Sequence, residues 1–386
     1  MASGFSFGSA SSASNPTQGD ISKDATLQNG PEDSISDLAW APVTNHLAVA
    51  SWDKKVRIYE IDDNTGQGVG KAAFDHEGPV LSCAWFQDGT KVVGGGADKA
   101  ARVLDLGSNG APAMQVAAHD QPIRCVKMYN DGRNDILITG SWDKTIKYWD
   151  FRSQQPAATL QLQERCYTMD RRNQLLVVGT ADRYINVINL EKPTEMYKTI
   201  QSPLKWQTRV VSCFTDASGF AVGSIEGRCA IQYVEEKDSR YDFPPPGAYC
   251  LTNWNWEAEI ATTTASLNFS FKCHRDTDTT QRDVSKVYSV NAISFHPEHG
   301  TFSTAGSDGT FHFWDKDAKH RLKGYPNVGG SITATGFNGK GDLFAYAVSY
   351  DWSKGYAGNS PQYPTKICLH KIIGDECKPR PGGKKR

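Results

Sequence analysis

Seven segments of the chain share one pattern of hydrophobic and polar positions. Each has an apolar stretch, a polar turn, a second apolar stretch ending in a small residue, an acidic turn residue and a third, alternating stretch. Continuous short apolar runs indicate buried strands, and strict alternation indicates a half-buried strand. The pattern therefore predicts three β-strands in each segment. The acidic turn residues are Asp53, Asp98, Asp143, Asp182, Glu226, Asp308 and Asp351.

The spacing of these acidic residues identifies the fold. Successive positions are 45, 45, 39, 44, 82 and 43 residues apart. Blades of WD-repeat propellers recur about every 40–45 residues and contain four strands. The sequence therefore predicts an all-β, seven-bladed WD-repeat β-propeller. The spacing of 82 is about twice the period, so we expect an insertion there. Literal Trp-Asp pairs end only the third and sixth repeats, at Trp149-Asp150 and Trp314-Asp315.

The last repeat has no fourth strand of its own, because the chain after TKICLHKI turns into a polar tail. We expect residues 24–27 to supply that strand, so that an N-terminal strand closes the ring. Closure of this kind removes most exposed sheet edges.

Histidines and aspartates at repeat positions are expected to be structural. His76 and His119 stand just before the first strand of their repeats. In WD repeats, such a histidine, a strand Ser or Thr, the turn Asp and the Trp form a hydrogen-bonded chain between strands. We interpret His76, His119, Asp98, Asp143 and Asp308 in this way rather than as catalytic acids and bases.

Charge and cysteine content limit the kinds of partner and the cellular compartment that we expect for this protein. The net charge is −1, so any nucleic-acid contact must come from a local basic patch rather than from the overall charge. Four of the nine cysteines recur at one strand position, which predicts packed thiols rather than disulfides or zinc ligands: Cys83, Cys125, Cys166 and Cys213. We expect a reducing, intracellular compartment, and we find neither a membrane span nor a secretory signal.

Three stretches lie outside the regular repeats. Residues 1–22 form a polar tail that contains Phe5 and Phe7 in a Phe-Gly element, either inert or a sticker like nuclear-pore repeats. The propeller spans residues 23–377 and carries the insertion at about 235–266, whose Trp254 and Trp256 either fold back or face a partner. Residues 378–386 form a basic tail, either solvated or a weak RNA contact or nuclear-import signal.

The sequence contains no motif of a phosphate-binding loop, a serine-nucleophile elbow or a zinc-protease helix. We therefore expect no enzyme, no cofactor and no metal. An enzyme would need polar groups that converge in the central channel.

One face of the ring is predicted to bind a partner. Trp52 and Trp142 directly precede turn aspartates, so they should project toward that face or pack on a neighbouring blade. In the fifth repeat, Arg209, Glu226 and Arg228 offer charges, and arginine can grip a carboxylate with two parallel hydrogen bonds. The alternative for Arg228 is an ion pair with Glu226.

Basic and aromatic residues are interleaved in the fifth and sixth repeats. Such a pattern suits single-stranded nucleic acid, because cations follow phosphates and rings stack on bases. The alternatives are a solvated outer face and, for the tryptophan, a role in the strand-tying hydrogen bonds. The candidates are Phe271, Lys272, Arg275, Trp314, Lys316, Lys319 and Arg321.

Several phrases of the sequence resemble the messenger-RNA export propellers of the nuclear pore. They are QERCY at 163–167, SIEGR at 224–228, FKCHR at 271–275, FWDKD at 313–317 and SYDWSKG at 349–355. The resemblance covers residues 35–379. A sister family, the mitotic-checkpoint propellers, shares SIEGR and FKCHR, whereas YDWSKG, WDKDA and the Phe-Gly tail favour the export branch.

The resemblance implies an adaptor that binds an acidic hairpin, the GLEBS motif, of a Phe-Gly nucleoporin. The hairpin would lie on Trp52, Trp142, Arg209, Glu226 and Arg228. It also implies RNA or ribonucleoprotein binding at a groove beside the hairpin, where Phe271, Trp314, Lys316 and Lys319 match the family. A monomeric protein of the nucleus and nuclear pore, shuttling to the cytoplasm, is expected. The long insertion departs from the family pattern and leaves the shape of the adjacent groove open.

Overall fold

The computed structural model describes residues 17–63, 65–108, 110–235, 267–277 and 284–379. These residues form seven four-stranded antiparallel sheets in a ring, together with a two-stranded hairpin. The predicted seven-bladed, all-β propeller is confirmed. The described part of the chain has no helix long and apolar enough to cross a membrane.

Four consecutive strands, ordered from the channel outward, form each of blades one to six, and three consecutive strands and the N-terminal strand form blade seven. The N-terminal strand and the strands of blades one to three are β1 Ala25–Thr26, β2 Ile35–Trp40, β3 His46–Ser51, β4 Lys55–Ile61, β5 Gly68–Asp75, β6 Val80–Trp85, β7 Lys91–Gly96, β8 Ala100–Asp105, β9 Met114–Ala118, β10 Ile123–Asn130, β11 Asp135–Ser141, β12 Thr145–Asp150 and β13 Ala158–Gln161. Blades four and five are β14 Cys166–Arg172, β15 Leu175–Thr180, β16 Tyr184–Asn189, β17 Lys198–Gln201, β18 Thr208–Cys213, β19 Gly219–Ser224, β20 Arg228–Tyr233 and β21 Phe269–Lys272.

The hairpin and the last two blades complete the ring. The strands are β22 Arg275–Thr277, β23 Ser285–Val287, β24 Val290–Phe295, β25 Phe302–Gly306, β26 Phe311–Asp315, β27 His320–Gly324, β28 Ile332–Phe337, β29 Leu343–Val348 and β30 Lys366–Lys371. A single turn of 3-10 helix at Tyr356–Gly358 precedes β30. After the insertion, β21 pairs with β20 and forms the outer strand of blade five.

The hydrophobic core consists of seven clusters, one between each pair of neighbouring blades. The inner strands have apolar side chains on both faces because each blade lies between two others. For example, β6 is buried along its whole length, whereas β17 at the rim is mostly exposed. No blade buries its apolar surface alone, so the fold depends on closure of the ring.

Every innermost strand has a register irregularity just after its first paired residue. A bulge of this kind re-aims the side chain of the extra residue. Six of the seven bulge residues line the central channel, and Tyr167 is the exception. The six are Ser36, Leu81, Arg124, Arg209, Asn291 and Thr333.

The N-terminal strand closes the ring as predicted. Strand β1 pairs antiparallel with β30 and becomes the outer strand of blade seven. Asp24, just before it, accepts hydrogen bonds from the Tyr346 hydroxyl at 2.8 Å and from His370 Nδ1 at 2.7 Å. The other ring nitrogen of His370 lies 3.3 Å from Glu376. Ion pairing therefore reinforces the joint between the two chain ends.

Residues 17–22, assigned to the N-terminal tail from sequence, already contact the propeller. Gln18 forms a parallel bridge with Gly324. The Gly324 N–H donates to the Thr17 carbonyl at 2.9 Å, and the Gly19 N–H donates to the Gly324 carbonyl at 2.8 Å. This short segment extends blade six beyond β27. The Phe-Gly element lies outside the described residues.

The closing ion pair predicts a pH-dependent stability. Burial alone would lower the pKa of His370, but its hydrogen bonds to Asp24 and Glu376 outweigh burial and raise the pKa from 6.5 to about 9. The imidazolium therefore stabilises the fold fully below pH 6.5, and this contribution disappears as the pH rises through about 9. A shift of this size corresponds to about 3 kcal/mol.

We expect His370→Gln to reduce the free energy of unfolding by about 2–4 kcal/mol at pH 6 and by much less at pH 10. Urea unfolding followed by circular dichroism measures this difference. Parallel pH profiles for the wild type and the variant would show that the closing pair does not act through the charged imidazole.

Candidate functional site

The paired histidines and aspartates of the repeats are structural. In blade three, His119 contacts Asp143 at 2.7 Å and Thr139 at 2.7 Å, and the Trp149 indole N–H donates to the Thr139 hydroxyl at 2.8 Å. In blade two, Gly94 replaces the threonine, and the Nε2 atom of His76 has no hydrogen-bond partner among the described residues. The predicted strand-tying chain is therefore complete in blade three and partial in blade two.

Blade six contains a second complete chain. His274 contacts Asp308 at 2.9 Å and Thr304 at 2.9 Å, and the Trp314 indole N–H donates to the same threonine hydroxyl at 2.9 Å. His312 lies close enough to these groups for metal-ligand spacing. However, both ring nitrogens of His274 already have partners. The hydrogen-bonded chain thus accounts for the arrangement.

The central channel opens on the face that carries the turns before the third strands. Its cavity has a volume of about 630 Å³ and is lined by residues from all seven blades. Trp52, Trp142 and Arg209 line it together. Trp352 stacks on Trp52 with ring centroids 4.4 Å apart. These four residues, called the mouth cluster below, bring three of the five predicted hairpin-binding residues to one place.

The three tryptophans of the mouth cluster differ in their exposure and in their contacts. Trp52 is half-buried because its ring packs on Trp352 of blade seven, the arrangement anticipated as the alternative to partner binding. Trp142 is 37% exposed. Trp352 has a left-handed backbone with φ of 60°, and its indole N–H has no partner in the described structure. The rim therefore carries the stacked pair of Trp52 and Trp352, and the partly exposed ring of Trp142.

Arg209 lies inside the channel, with protein around it but with its surface open to the channel. Within the described ranges, its guanidinium makes no hydrogen bond or ion pair. Burial lowers its pKa, the charge of Arg124 lowers it further, and Asp351 opposes these effects. Arg209 is thus a cation without a direct partner.

Glu226 and Arg228 lie apart from the channel, on blade five. Arg228 Nε is 3.9 Å from Glu226 Oε1, so the ion-pair alternative describes this residue. Arg275 also lies beside Glu226, with Nη2 3.8 Å from Oε2, and it donates to the Glu226 and Gly227 carbonyls at 2.7 and 3.1 Å. Glu226 therefore holds two arginines, which together present positive charge at the edge of the same face.

The predicted RNA-binding residues separate into two groups. Phe271 of blade five contacts Trp314 of blade six, with ring centroids 4.6 Å apart. The ammonium of Lys319 lies 4.8 Å from the centroid of Phe269. Arg321 is exposed and is paired with Trp314 in the strand register. These residues form one basic and aromatic groove between blades five and six, called the blade groove below.

Lys272 is the last residue of β21 and Arg275 is the first residue of β22, whereas Lys319 lies against Phe269 at the start of β21. Strand β20 pairs Arg228 with Lys272 and Ile231 with Phe269. A strand rises about 3.3 Å per residue, so Lys272 and Phe269, three residues apart, are separated by about 10 Å along the blade. Lys272 and Arg275 therefore belong with Glu226 and not with the blade groove.

Lys316 is less accessible to an RNA ligand than its place in the sequence suggested. Its ammonium is 5.2 Å from the centroid of Phe214 and 2.8 Å from Asp317 Oδ1, and its side chain is 11% exposed. Trp314 likewise has a structural partner in Thr304. The exposed cations of the groove are Lys319 and Arg321.

The channel is polar rather than apolar, so polarity alone does not exclude catalysis. Its acids are already engaged: Asp170 contacts Lys127 Nζ at 3.0 Å and the Cys213 N–H at 2.8 Å. Asp37 accepts from the Ser82 hydroxyl at 2.7 Å and the Cys83 N–H at 3.1 Å. These bonds connect neighbouring blades, which explains the acids without a reaction.

Sequence reasoning missed three residues of this face. Trp352 follows a turn aspartate instead of preceding it, and comparison of the seven turns could have found it. Arg124 occupies the same bulge position as Arg209 in another blade. Trp206, 59% exposed, lies in the loop between β17 and β18. The insertion tryptophans Trp254 and Trp256 and residues 380–386 of the basic tail lie outside the described residues.

Comparison with known proteins shows similarity along nearly the whole chain. Residues 23–60, 71–105, 110–150 and 281–315 match the model of the WD domain, G-beta repeat. The mRNA export factor GLE2 of Chaetomium thermophilum is 63% identical over 384 residues, covering 98% of this chain and 99% of that protein.

Less similar relatives also match over nearly the whole chain. The Poly(A)+ RNA export protein of Schizosaccharomyces pombe is 53% identical over 380 residues, 98% of each chain. Protein Rae1 of Drosophila melanogaster is 43% identical over 364 residues, covering 92% of this chain and 96% of that protein. These matches point to a scaffold rather than to an enzyme.

The structural role of Trp314 is testable by its effect on stability. Trp314→Phe removes the donor to the Thr304 hydroxyl but keeps a ring in the groove, so we expect a loss of about 1–2 kcal/mol in the free energy of unfolding. Trp149→Phe in blade three is the matched variant and should cost a similar amount. Urea unfolding measures both, and an unchanged stability for Trp314→Phe alone would contradict a structural role for this residue and leave only a role in binding.

Proposed function

Because the chain belongs to the WD-repeat family of messenger-RNA export factors, we propose that it acts as a non-enzymatic adaptor in messenger-RNA export. The observation that carries this proposal is near-full-length identity of 63% and 53% with proteins named for RNA export. We place it in the nucleus and at the nuclear pore, from which it would shuttle to the cytoplasm.

The partner at the channel mouth is, in this proposal, the acidic GLEBS hairpin of a Phe-Gly nucleoporin. Trp52, Trp142 and Arg209 supply the residue types that dominate binding energy at protein interfaces. Arg228 and Arg275 extend positive charge outward from the mouth on blade five. An acidic hairpin that crosses this face would meet aromatic contact area first and cations along its length.

RNA is the proposed ligand of the blade groove. The exposed cations Lys319 and Arg321 flank the aromatic contact of Phe271 with Trp314. Cations beside aromatic rings support binding of single strands, with phosphates near the charges and bases near the rings. With a net charge of −1, the whole protein adds no general attraction, so affinity should depend on these few contacts.

Hairpin binding should depend on the mouth tryptophans. We expect Trp52→Ala with Trp142→Ala to weaken binding of a synthetic GLEBS hairpin by about 100-fold or more, because two aromatic anchors of about 2 kcal/mol each are lost. Isothermal titration calorimetry measures the affinity, and circular dichroism checks folding. Phe151→Ala is the control, since Phe151 is also 37% exposed but lies at the other end of β12. Failure of the wild type to bind the hairpin would contradict the nucleoporin partner.

RNA binding should depend on the exposed cations of the groove. We expect Lys319→Glu with Arg321→Glu to weaken binding of single-stranded RNA at least about tenfold at low salt and to reduce the salt slope by about 1.4, or about 0.7 for each lost phosphate contact. Fluorescence anisotropy at several salt concentrations measures both quantities. Hairpin affinity should not change.

A charge-matched control separates local contacts from overall charge. Arg133→Glu with Lys371→Glu changes the net charge equally on blades three and seven and should leave RNA affinity nearly unchanged. Absence of RNA binding by the wild type at every salt concentration, with hairpin binding retained, would instead favour a kinetochore checkpoint scaffold that uses the same face.

A further inference from the structure

Two buried thiols meet at the joint between blades three and four. Cys125 lies in β10, the innermost strand of blade three, and Cys166 is the first residue of β14, the innermost strand of blade four. Both side chains belong to the apolar cluster between these blades, and neither takes part in a disulfide. The two thiols therefore lie on opposite sides of one joint of the ring.

Gly140 leaves the space in which these thiols meet. The strand register pairs Cys125 with Gly140 of β11, and paired residues of an antiparallel ladder carry their side chains on the same face. The Sγ atom of Cys166 lies 2.6 Å from the point where a Cβ atom on residue 140 would be. It thus fills the place of the missing side chain opposite Cys125. The two thiols are consequently in contact, and they hydrogen-bond to each other.

The two thiols differ in acidity and in access to the channel. The hydrogen bond from Cys166 lowers the pKa of Cys125, and the charges of Arg124 and Lys127 lower it further against the effect of burial. The same hydrogen bond, together with burial, raises the pKa of Cys166. Cys125 also lines the channel cavity, whereas Cys166 is completely buried. Because the thiolate is the reactive form of cysteine, a small oxidant in the channel should react first with Cys125.

We propose that Cys125 and Cys166 are a redox-modification site, at which hydrogen peroxide produces a disulfide that joins blade three to blade four. In the first step the Cys125 thiolate attacks a peroxide oxygen. The S–O bond forms, the O–O bond breaks, and the leaving hydroxide takes up the proton that Cys125 released, giving water and a sulfenic acid.

In the second step the Cys166 sulfur attacks the sulfur of this sulfenic acid. The S–S bond forms, the S–O bond breaks, and the leaving hydroxide combines with the proton of Cys166 to give a second water. The two thiols together lose two electrons, and the peroxide gains them. An added dithiol reverses the change by thiol–disulfide exchange.

The disulfide should alter the channel mouth. Bonded sulfur atoms are about 2.05 Å apart, closer than two hydrogen-bonded thiols, so β10 must shift toward β14. The Trp142 N–H donates to the Pro122 carbonyl at 3.1 Å, and Pro122 directly precedes β10. A shift of β10 therefore also moves the turn that carries Trp142. Neither the disulfide nor this movement depends on the proposed function.

The first experiment identifies the thiols that peroxide oxidises. The full chain is treated with a small excess of hydrogen peroxide, the remaining thiols are blocked with iodoacetamide, and mass spectrometry of unreduced peptides locates any disulfide. We expect one disulfide, between Cys125 and Cys166, and a fall in the thiol count from nine to seven that dithiothreitol reverses. Cys229 and Cys273 are the internal control: they share the cluster between blades five and six, but burial raises the pKa of both. Both should remain thiols.

The second experiment separates the roles of the two cysteines. Cys125→Ser and Cys166→Val introduce the residues that blade two has at the same strand positions, Ser82 and Val80, so both variants should fold, as circular dichroism can verify. We expect no disulfide in either variant. Cys166→Val should stop at a sulfenic acid on Cys125, which dimedone traps, whereas Cys125→Ser should leave Cys166 unreacted. Cys213→Ala, which removes another buried thiol of the channel wall, should form the disulfide as the wild type does.

Tryptophan fluorescence tests the effect on the channel mouth. We expect oxidation to change the emission of the wild type, but not that of Cys166→Val or Trp142→Phe. Retention of all nine thiols by the wild type under peroxide that oxidises free glutathione would overturn the redox site, as would a disulfide between any other pair. Unchanged emission from a wild type that contains the disulfide would overturn the movement of the Trp142 turn.

Discussion

Closure of the ring is the constraint on which the rest of this structure depends. Each blade has two apolar faces, and each face is buried only by the neighbouring blade. A missing joint would expose two faces at once. The joint between the first and last blades is made by β1 against β30 and is reinforced by Asp24, His370 and Glu376. A buried ion pair therefore lies at the joint where the ring could open.

The closed ring also determines where binding chemistry can occur. Seven inner strands surround one axis, and each has a bulge at the same position, so residues from distant repeats meet at the channel mouth. Trp52, Trp142, Arg209 and Trp352 come from blades one, three, five and seven. A partner at the mouth would consequently contact at least four of the seven blades, and a fault at the joint would also disturb this face.

The period of the sequence predicted the architecture because it reports a physical repeat. The turn acids, the closing strand and the His119 chain all follow from the position of a residue within its repeat. His274 was missed as the corresponding residue of blade six because the insertion separates it from Glu226 by more than a regular repeat. Position within a repeat also cannot reveal that Lys316 is covered by Phe214, since that contact joins two blades.

The sequence predicted which face carries the candidate site, but it did not predict which residues contact one another there. Sequence proximity grouped Lys272 and Arg275 with Phe271, yet successive residues of a strand point to opposite faces of its sheet. Phe271 contacts Trp314 and Arg275 lies beside Glu226, whereas Lys319 contacts Phe269, about 10 Å from Lys272 along the blade. This separation is slightly longer than the Debye length of about 8 Å at physiological salt, so salt weakens the interaction between exposed charges in the two places. In the proposed function, an acidic peptide at the mouth and RNA in the blade groove would therefore repel each other only weakly, as an adaptor between the two requires.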